Sequence, residues 1–278
     1  MAYILKQAYL GYNWIFGDLA DSRPTELDLL LMSTPLKPIL ISLAYLYFCQ
    51  NLGPRWMASR KPFSLKKTII AFNISQIIIN IHLFYVCFSE LPESDWSCIP
   101  VDYSWNPRSL KELRYHHYYF LVKMSDFLDT IFFVLRKKNQ QVTFLHLYHH
   151  FGMFLITWID VKYFGGGHGI WLGILNCPVH AIMYLYYTLA IFDEKWKTNA
   201  TFKKFLTQLQ MVQFLALIII YGRPLFMAEC RYPKIVCYFF VPQNFFMLVL
   251  FLDFYRKCYL RRNKSNGSLK SNGLSDSG

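Results

Sequence analysis

The sequence predicts an all-α fold, a polytopic membrane protein with seven transmembrane helices. Two features carry that expectation. Of the 278 residues, 54% are hydrophobic and only 17% are charged, whereas a soluble domain keeps about a quarter of its residues charged to face water. The charges that are present gather between apolar runs of about 20 residues, the length a helix needs to cross the hydrocarbon layer.

Taken in order, the candidate spans are residues 30–50, 68–89, 114–135, 143–163, 169–191, 205–222 and 235–255. The third and fourth stand apart because both carry ionisable side chains. Residues 1–14 lack a basic start, an apolar run and a small-residue cleavage site, so the first span is expected to direct insertion itself. An odd number of crossings puts the termini on opposite sides. Of the 29 Lys and Arg residues, 18 fall in segments 51–67, 136–142, 192–204 and 256–278, against seven in 1–29, 90–112, 164–168 and 223–234. Basic residues accumulate on the cytosolic side, so the amino terminus is expected in a lumen and the carboxyl terminus in the cytosol. The expected organisation is a lumenal segment 1–29, a membrane domain 30–258 and a cytosolic tail 259–278, whose Ser, Asn, Gly and Lys content predicts disorder.

The net charge of +12 is compatible with nucleic acid, an anionic membrane surface or an anionic ligand. No nucleic-acid module is visible, and membrane topology accounts for most of the basic residues. Seven cysteines contain no CxxC pair and no Cys/His metal spacing. Cys98 and Cys230 both fall in lumenal loops, where a disulfide is chemically allowed; two free thiols are the alternative. Glycosylation sequons at Asn73 and Asn199 fall inside a span and on the cytosolic side, so neither is expected to carry glycan.

Hydrophilic residues inside apolar helices are the informative ones, since a central Asp, Lys or Arg costs roughly 2.5–3.5 kcal/mol on insertion scales. Lys123, Asp126 and Asp129 recur every three residues in the third span. His146, His149 and His150 stand at i, i+3 and i+4 in the fourth, on one face. Asn176 and His180 are four apart in the fifth, with Tyr184 and Tyr187 continuing the stripe, and Thr207, Gln210 and Gln213 repeat in the sixth. Four polar stripes predict one shared polar cavity. The plainer readings are an internal Lys–Asp salt bridge and interhelical hydrogen-bond glue from Gln and Thr.

Two chemistries suit such a histidine cluster. One is a metal centre of the kind found in membrane desaturases and hydroxylases, but His82, His116, His117 and His168 form no second HxxHH box, so no metal site is expected. The other is nucleophilic and acid–base catalysis, in which an imidazole attacks a thioester and a second moves the proton or polarises the carbonyl. The basic clusters Arg136-Lys137-Lys138 and Lys203-Lys204 would then hold coenzyme A phosphates. A seven-span receptor or transporter is the non-enzymatic alternative, although no DRY-like or NPxxY-like signal is present.

The stretches DSRPTELDLLLMSTPL (21–36), LGPRWMASRKPF (52–63), KMSDFLDTIFFVLRKKNQQVTFLHLYHH (123–150), NCPVHAIMYLYY (176–187) and TQLQMVQF (207–214) together resemble the ELO-type very-long-chain fatty-acid elongases, from about Asp21 to Tyr259. The resemblance implies seven helices, six of them forming a barrel around an acyl tunnel. It implies condensation of long-chain acyl-CoA with malonyl-CoA to 3-oxoacyl-CoA, CO2 and CoA through a histidine-linked acyl group, with both thioesters as substrates and no bound cofactor. His149 would accept the acyl group, opposite His180, with His146 and His150 as orienting or proton-relay groups. Lys123, Asp129, Asn176, Tyr187 and Gln210 would line the site, and Arg136, Lys137 and Lys204 would meet the phosphates. It also implies the endoplasmic reticulum membrane, with membrane lipid, other enzymes of the elongation cycle and a second copy of the chain as partners. Asp126 departs from the Glu of most relatives, and the LKSNGLSDSG terminus lacks a lysine-based return signal.

Overall fold

Apolar runs that leave no backbone group unpaired in lipid must be helical, and the computed structural model is built accordingly. It describes residues 29–92 and 96–260, together with Tyr3, Lys6, Gln7, Leu10 and Gly11. The expected lumenal segment and cytosolic tail therefore lie largely outside the described residues. Among those residues the structure is helical, without strands.

Helix α1 (Leu36–Tyr47) runs through a π-helical turn (Phe48–Leu52) into α2 (Gly53–Ala58), so the first apolar run begins later and extends further than predicted. Helix α3 spans Lys66–Ser89. Helix α4 (Pro107–Ser125) starts on a cap: Asn106 accepts from the Ser109 amide at 2.9 Å and Pro107 occupies a position needing no N–H donor. The third predicted span is interrupted for one residue at Asp126, whose backbone stays in the right-handed helical region and whose N–H still bonds the Val122 carbonyl at 3.0 Å, and it continues as α5 (Phe127–Leu135). Thr143 caps α6 (Phe144–Ile159), which ends in a π-helical turn, Asp160–Phe164. Helix α7 covers Ile170–Phe192 with Pro178 inside it, α8 is the short Glu194–Thr198, α9 covers Ala200–Gly222, and α10 covers Lys234–Tyr255 with Pro242 inside it.

Four helical runs are long and apolar enough to cross a membrane: Lys66–Ser89, Gly167–Phe192, Ala200–Phe226 and Lys234–Leu260. Their outward faces carry exposed Ile74, Ile78 and Ile81, Val212, Leu215 and Ile219, and Phe239, Phe245 and Val249. Such bare apolar stripes suit lipid rather than water, and the protein is a multi-pass membrane protein.

Neighbouring helices pack as α1 on α6, α6 on α4, α4 on α3, α3 on α7, α7 on α9 and α9 on α10. Helix α10 also meets α6, where Tyr148 donates to Gln243 at 2.6 Å. The α3–α7 seam is the most extensive and depends on Gly173, where a Cβ would lie 2.5 Å from Cys87 Sγ. Small residues allow this close approach between helices.

At one end of the bundle Cys98 and Cys230 form a disulfide with Cα atoms 5.7 Å apart. The Ile99 carbonyl accepts from the His168 amide at 2.8 Å. Gly167 sits at φ +56°, where a Cβ would meet the Pro100 carbonyl oxygen at 2.5 Å, so this crossing requires glycine. Of the sequons, Asn73 is buried in α3 and Asn199 caps α9, accepting from the Phe202 amide at 2.9 Å.

Candidate active site

The interruption between α4 and α5 places one charged pair in the interior. Lys123 and Asp126, about 1% exposed, meet at 3.2 Å. Asp126 is also reached at Oδ1 by Gln76 Nε2 (3.1 Å) and by the Tyr184 hydroxyl (3.2 Å), which donates to Asp129 Oδ2 at 2.7 Å. Gln76 donates to Ser125 Oγ at 2.8 Å as well, and its own amide oxygen accepts from Asn80 at 3.2 Å. These bonds gather α3, α4, α5 and α7 around one carboxylate. Buried charges persist when paired and hydrogen-bonded in this way. The Lys123 ammonium also lies 4.9 Å from the Tyr119 ring centre, and Tyr119 donates to Asn176 Oδ1 at 2.7 Å.

His180 enters this network from α7. Its Nδ1 stands 3.5 Å from Lys123 Nζ and 3.9 Å from Asp126 Oδ2. An ammonium offers only protons, so Nδ1 is placed to accept from it, and a neutral His180 paired in this way would carry its proton on Nε2. The His149 ring lies 6.4 Å from that of His180 and nearly parallel to it, at 25°. Helical spacing on α6 brings His150 to 5.4 Å from His149 and 4.3 Å from His146. His146 Nε2 is fixed at 2.8 Å by Thr130 Oγ1, itself 2.7 Å from the Tyr45 hydroxyl. Four imidazoles on two helices therefore form one group, with different surroundings for each.

Beside them is a narrow cavity lined by His149, Asn176, Gln213, Gln243 and Asn244 together with apolar side chains that include Met153, Leu217 and Phe240. His149 is the histidine that faces it, and its ring nitrogens have no hydrogen-bond partner among the described residues. An imidazole lone pair open to a largely apolar cavity, with a donor-tautomer imidazole across from it, can attack an acyl carbon while the carbonyl is polarised.

The structure thus brings together His146, His149, His150, His180, Lys123, Asp129 and Asn176. Other expected site residues sit apart. Tyr187 is 38% exposed and touches the cluster only edge-on through Tyr184, with ring centres 6.0 Å apart. Gln210 directs its amide at Met183 Sδ, 3.9 Å away, whereas Gln213, one step along the same stripe, lines the cavity with a buried Oε1 lacking a partner among the described residues. Thr207 donates back to the Lys203 carbonyl at 3.0 Å. Arg136 ends α5, Lys137 donates to the Ala58 carbonyl at 3.1 Å, and Lys204 lies 5.8 Å from the Tyr255 ring centre, all outside the histidine group.

Three of the remaining histidines are held elsewhere. His116 pairs with Asp160 at 2.6 Å, and His117 and His168 bond the Leu30 and Ile220 carbonyls, each at 3.1 Å.

Sequence reasoning passed over Gln76 and Asn80, Tyr119, Thr130 and the α10 carboxamides Gln243 and Asn244. A signal existed for the first two. With Asn73 they form a polar stripe at i, i+3 and i+7 in an otherwise apolar span, the pattern used to find the other sites.

The chain is similar to known proteins over most of its length. The chain is 38% identical over 261 residues to very long chain fatty acid elongase 7 of Drosophila melanogaster, covering 92% of this chain and 79% of the relative. It is 38% identical over 271 residues to very long chain fatty acid elongase 7 of Rattus norvegicus, covering 93% and 94%. It is 36% identical over 247 residues to very long chain fatty acid elongase 1 of Homo sapiens, covering 87% and 88%. The profile described as "ELO: GNS1/SUR4 family" matches residues 30–267, the stretch that contains every helix and every histidine described above, and the chain belongs to that family.

Proposed function

We propose that this protein is a fatty-acid elongase that condenses a long-chain acyl-CoA with malonyl-CoA, giving 3-oxoacyl-CoA, CO2 and CoA. The observation that carries the reading is the approach of His149 to His180, 6.4 Å between rings, beside a cavity that His149 faces. Elongation is what the curated relatives are named for. In the mechanism we infer, His149 attacks the acyl thioester and carries the acyl group, while Nε2–H of His180 polarises the carbonyl. Lys123 holds the His180 tautomer, and Asp126 balances Lys123. His146 and His150 orient the acceptor ring. Malonyl-CoA then loses CO2 and its carbanion takes the acyl group from the imidazole.

The topology belongs to the same proposal. A disulfide joins two residues on one side of a membrane, so the chain crosses an even number of times between Cys98 and Cys230. Two of the long apolar helices lie in that interval, so α4–α5 and α6 either both cross or neither does. Seven spans follow when both cross and the α1–α2 run crosses as well. The neighbour contacts α6–α4–α3–α7–α9–α10 return to α6 through Tyr148 and Gln243, which supports a six-helix barrel around an acyl tunnel. With the disulfide in an oxidising lumen, the amino terminus is lumenal and the carboxyl terminus cytosolic, in the endoplasmic reticulum membrane. Arg136, Lys137 and Lys204 then face the side from which coenzyme A arrives, although none touches the histidine group. An enzyme that reduces 3-oxoacyl-CoA must follow this step in the cycle.

The test uses membranes from elongase-deficient cells expressing the protein, supplied with labelled malonyl-CoA and a series of acyl-CoAs. Wild type extends the acyl chain. His149→Ala and His180→Ala each reduce extension by more than ~100-fold at equal expression. Full turnover by both variants would end the mechanism.

A further inference from the structure

The histidine group accounts for the nucleophile but leaves the thioester oxygen held by one donor. We propose that Gln243 of α10 and Asn176 of α7 supply two amide N–H donors that hold this oxygen during acyl transfer to His149, with Tyr148 and Tyr119 as the residues that aim them. The inference rests on the elongase reading and adds to it a catalytic role for Gln243 and a positioning role for Tyr148.

Both carboxamides line the cavity that His149 faces. A carboxamide can present either end to a cavity, and here the oxygen of each is turned toward a tyrosine hydroxyl. Tyr148 donates to Gln243 Oε1 at 2.6 Å, and Tyr119 donates to Asn176 Oδ1 at 2.7 Å. With both oxygens engaged, the free ends are the NH2 groups. Gln243 Nε2 lies against Gly152, 3.8 Å from where a Cβ would stand. Gly152 is three residues beyond His149 on the same helix, hence on the same face and within one turn. Asn176 is one turn before His180 on α7. No acceptor for Gln243 Nε2 or Asn176 Nδ2 occurs among the described residues, so these are oriented donors without an oxygen. Donors fixed before the reaction and aimed where negative charge develops stabilise it without reorganisation.

In the step itself, a His149 nitrogen lone pair forms the C–N bond and the carbonyl π pair moves to oxygen, where the two amides receive it. Collapse restores C=O and breaks C–S. Coenzyme A leaves as thiolate and takes the proton lost from the acyl-imidazolium, giving free thiol. No electrons enter or leave.

The experiment is single-turnover release of CoA thiol from a long-chain acyl-CoA by the purified full-length protein in lipid nanodiscs, with the acyl-protein read by mass. Gln243→Leu is expected to lower the acylation rate constant ~100-fold and to leave the half-saturating acyl-CoA concentration within twofold. Tyr148→Phe, which deletes one oxygen and keeps the ring, is expected to lower the rate constant ~10-fold without changing half-saturation. The Tyr148→Phe/Gln243→Leu double variant should be no slower than Gln243→Leu alone, because Tyr148 acts through Gln243. Wild-type rate constants in both single variants, or multiplying effects in the double, would overturn the assignment; if Gln243→Leu fails to fold, the rate constant of Tyr148→Phe decides alone. A wild-type protein that releases no thiol and carries no acyl group would remove the elongase mechanism itself, and this inference with it.

Discussion

Replacing Asp126 by Asn keeps the shape of the side chain and removes its charge. The Oδ1 position still accepts from Gln76 (3.1 Å) and Tyr184 (3.2 Å), but the other position now presents N–H donors to the Lys123 ammonium, where an acceptor had stood at 3.2 Å. Lys123 is 1% exposed and cannot reach water. Breaking one partner of a buried ion pair costs about 3–5 kcal/mol, on the order of 10 °C of thermal midpoint for a chain of this size. Removing both charges with Lys123→Met/Asp126→Asn takes away the unpaired charge and should recover half or more of that loss. The assay is thermal unfolding in detergent, followed by size-exclusion chromatography, of the wild type, Asp126→Asn, Lys123→Met and the double variant. Elongation is lost in the two variants that lack Lys123, because His180 Nδ1 loses the ammonium that stands 3.5 Å away. A single variant within about 1 kcal/mol of wild type, or a double less stable than either single, would refute the account of the pair as an interior charge held by its partners.

Other outcomes follow from particular contacts. Gly173→Ala places a methyl 2.5 Å from Cys87 Sγ and should destabilise the α3–α7 seam by about 1–3 kcal/mol; Cys87→Ala should restore it, as read by melting of the double variant. Thr130→Val strips the hydroxyl between Tyr45 and His146, leaving two interior polar groups short of a partner, and should cost about 1–3 kcal/mol in the same assay. Trp158→Phe loses the indole bond to the Leu31 carbonyl at 2.9 Å and should lower stability by about 1 kcal/mol. Cys98→Ser removes a cross-link closing 132 residues, worth at most about 5 kcal/mol by chain entropy and less in a chain already restricted by the membrane; mild reductant should shift the wild type to the same melting curve.

Much of the arrangement was legible because lipid imposes simple rules. The apolar runs of α3, α7, α9 and α10 coincide with their predicted spans to within a few residues. The histidines of HLYHH lie near His180 because one helical face is all that i, i+3 and i+4 allow. The interruption at Asp126 was invisible for a different reason. No Pro or Gly marks it, and the bonds that gather around Asp126 come from Gln76 and Tyr184, distant in sequence. Gln210 and Gln213 illustrate the limit of a stripe: three residues advance a helix by about 300°, so the face drifts, and only the position of Met183 shows which amide reaches the cavity. The α10 carboxamides were hidden because a lone polar pair in a span has no period.

The Cys98–Cys230 bond also bears on how the molecule is made. Cys230 is synthesised 132 residues after its partner, once α4 to α9 have been made. Covalent closure is therefore a late event in biogenesis, and any product released earlier carries an unmatched thiol at Cys98. That thiol is a chemical mark by which an unfinished chain differs from a finished one.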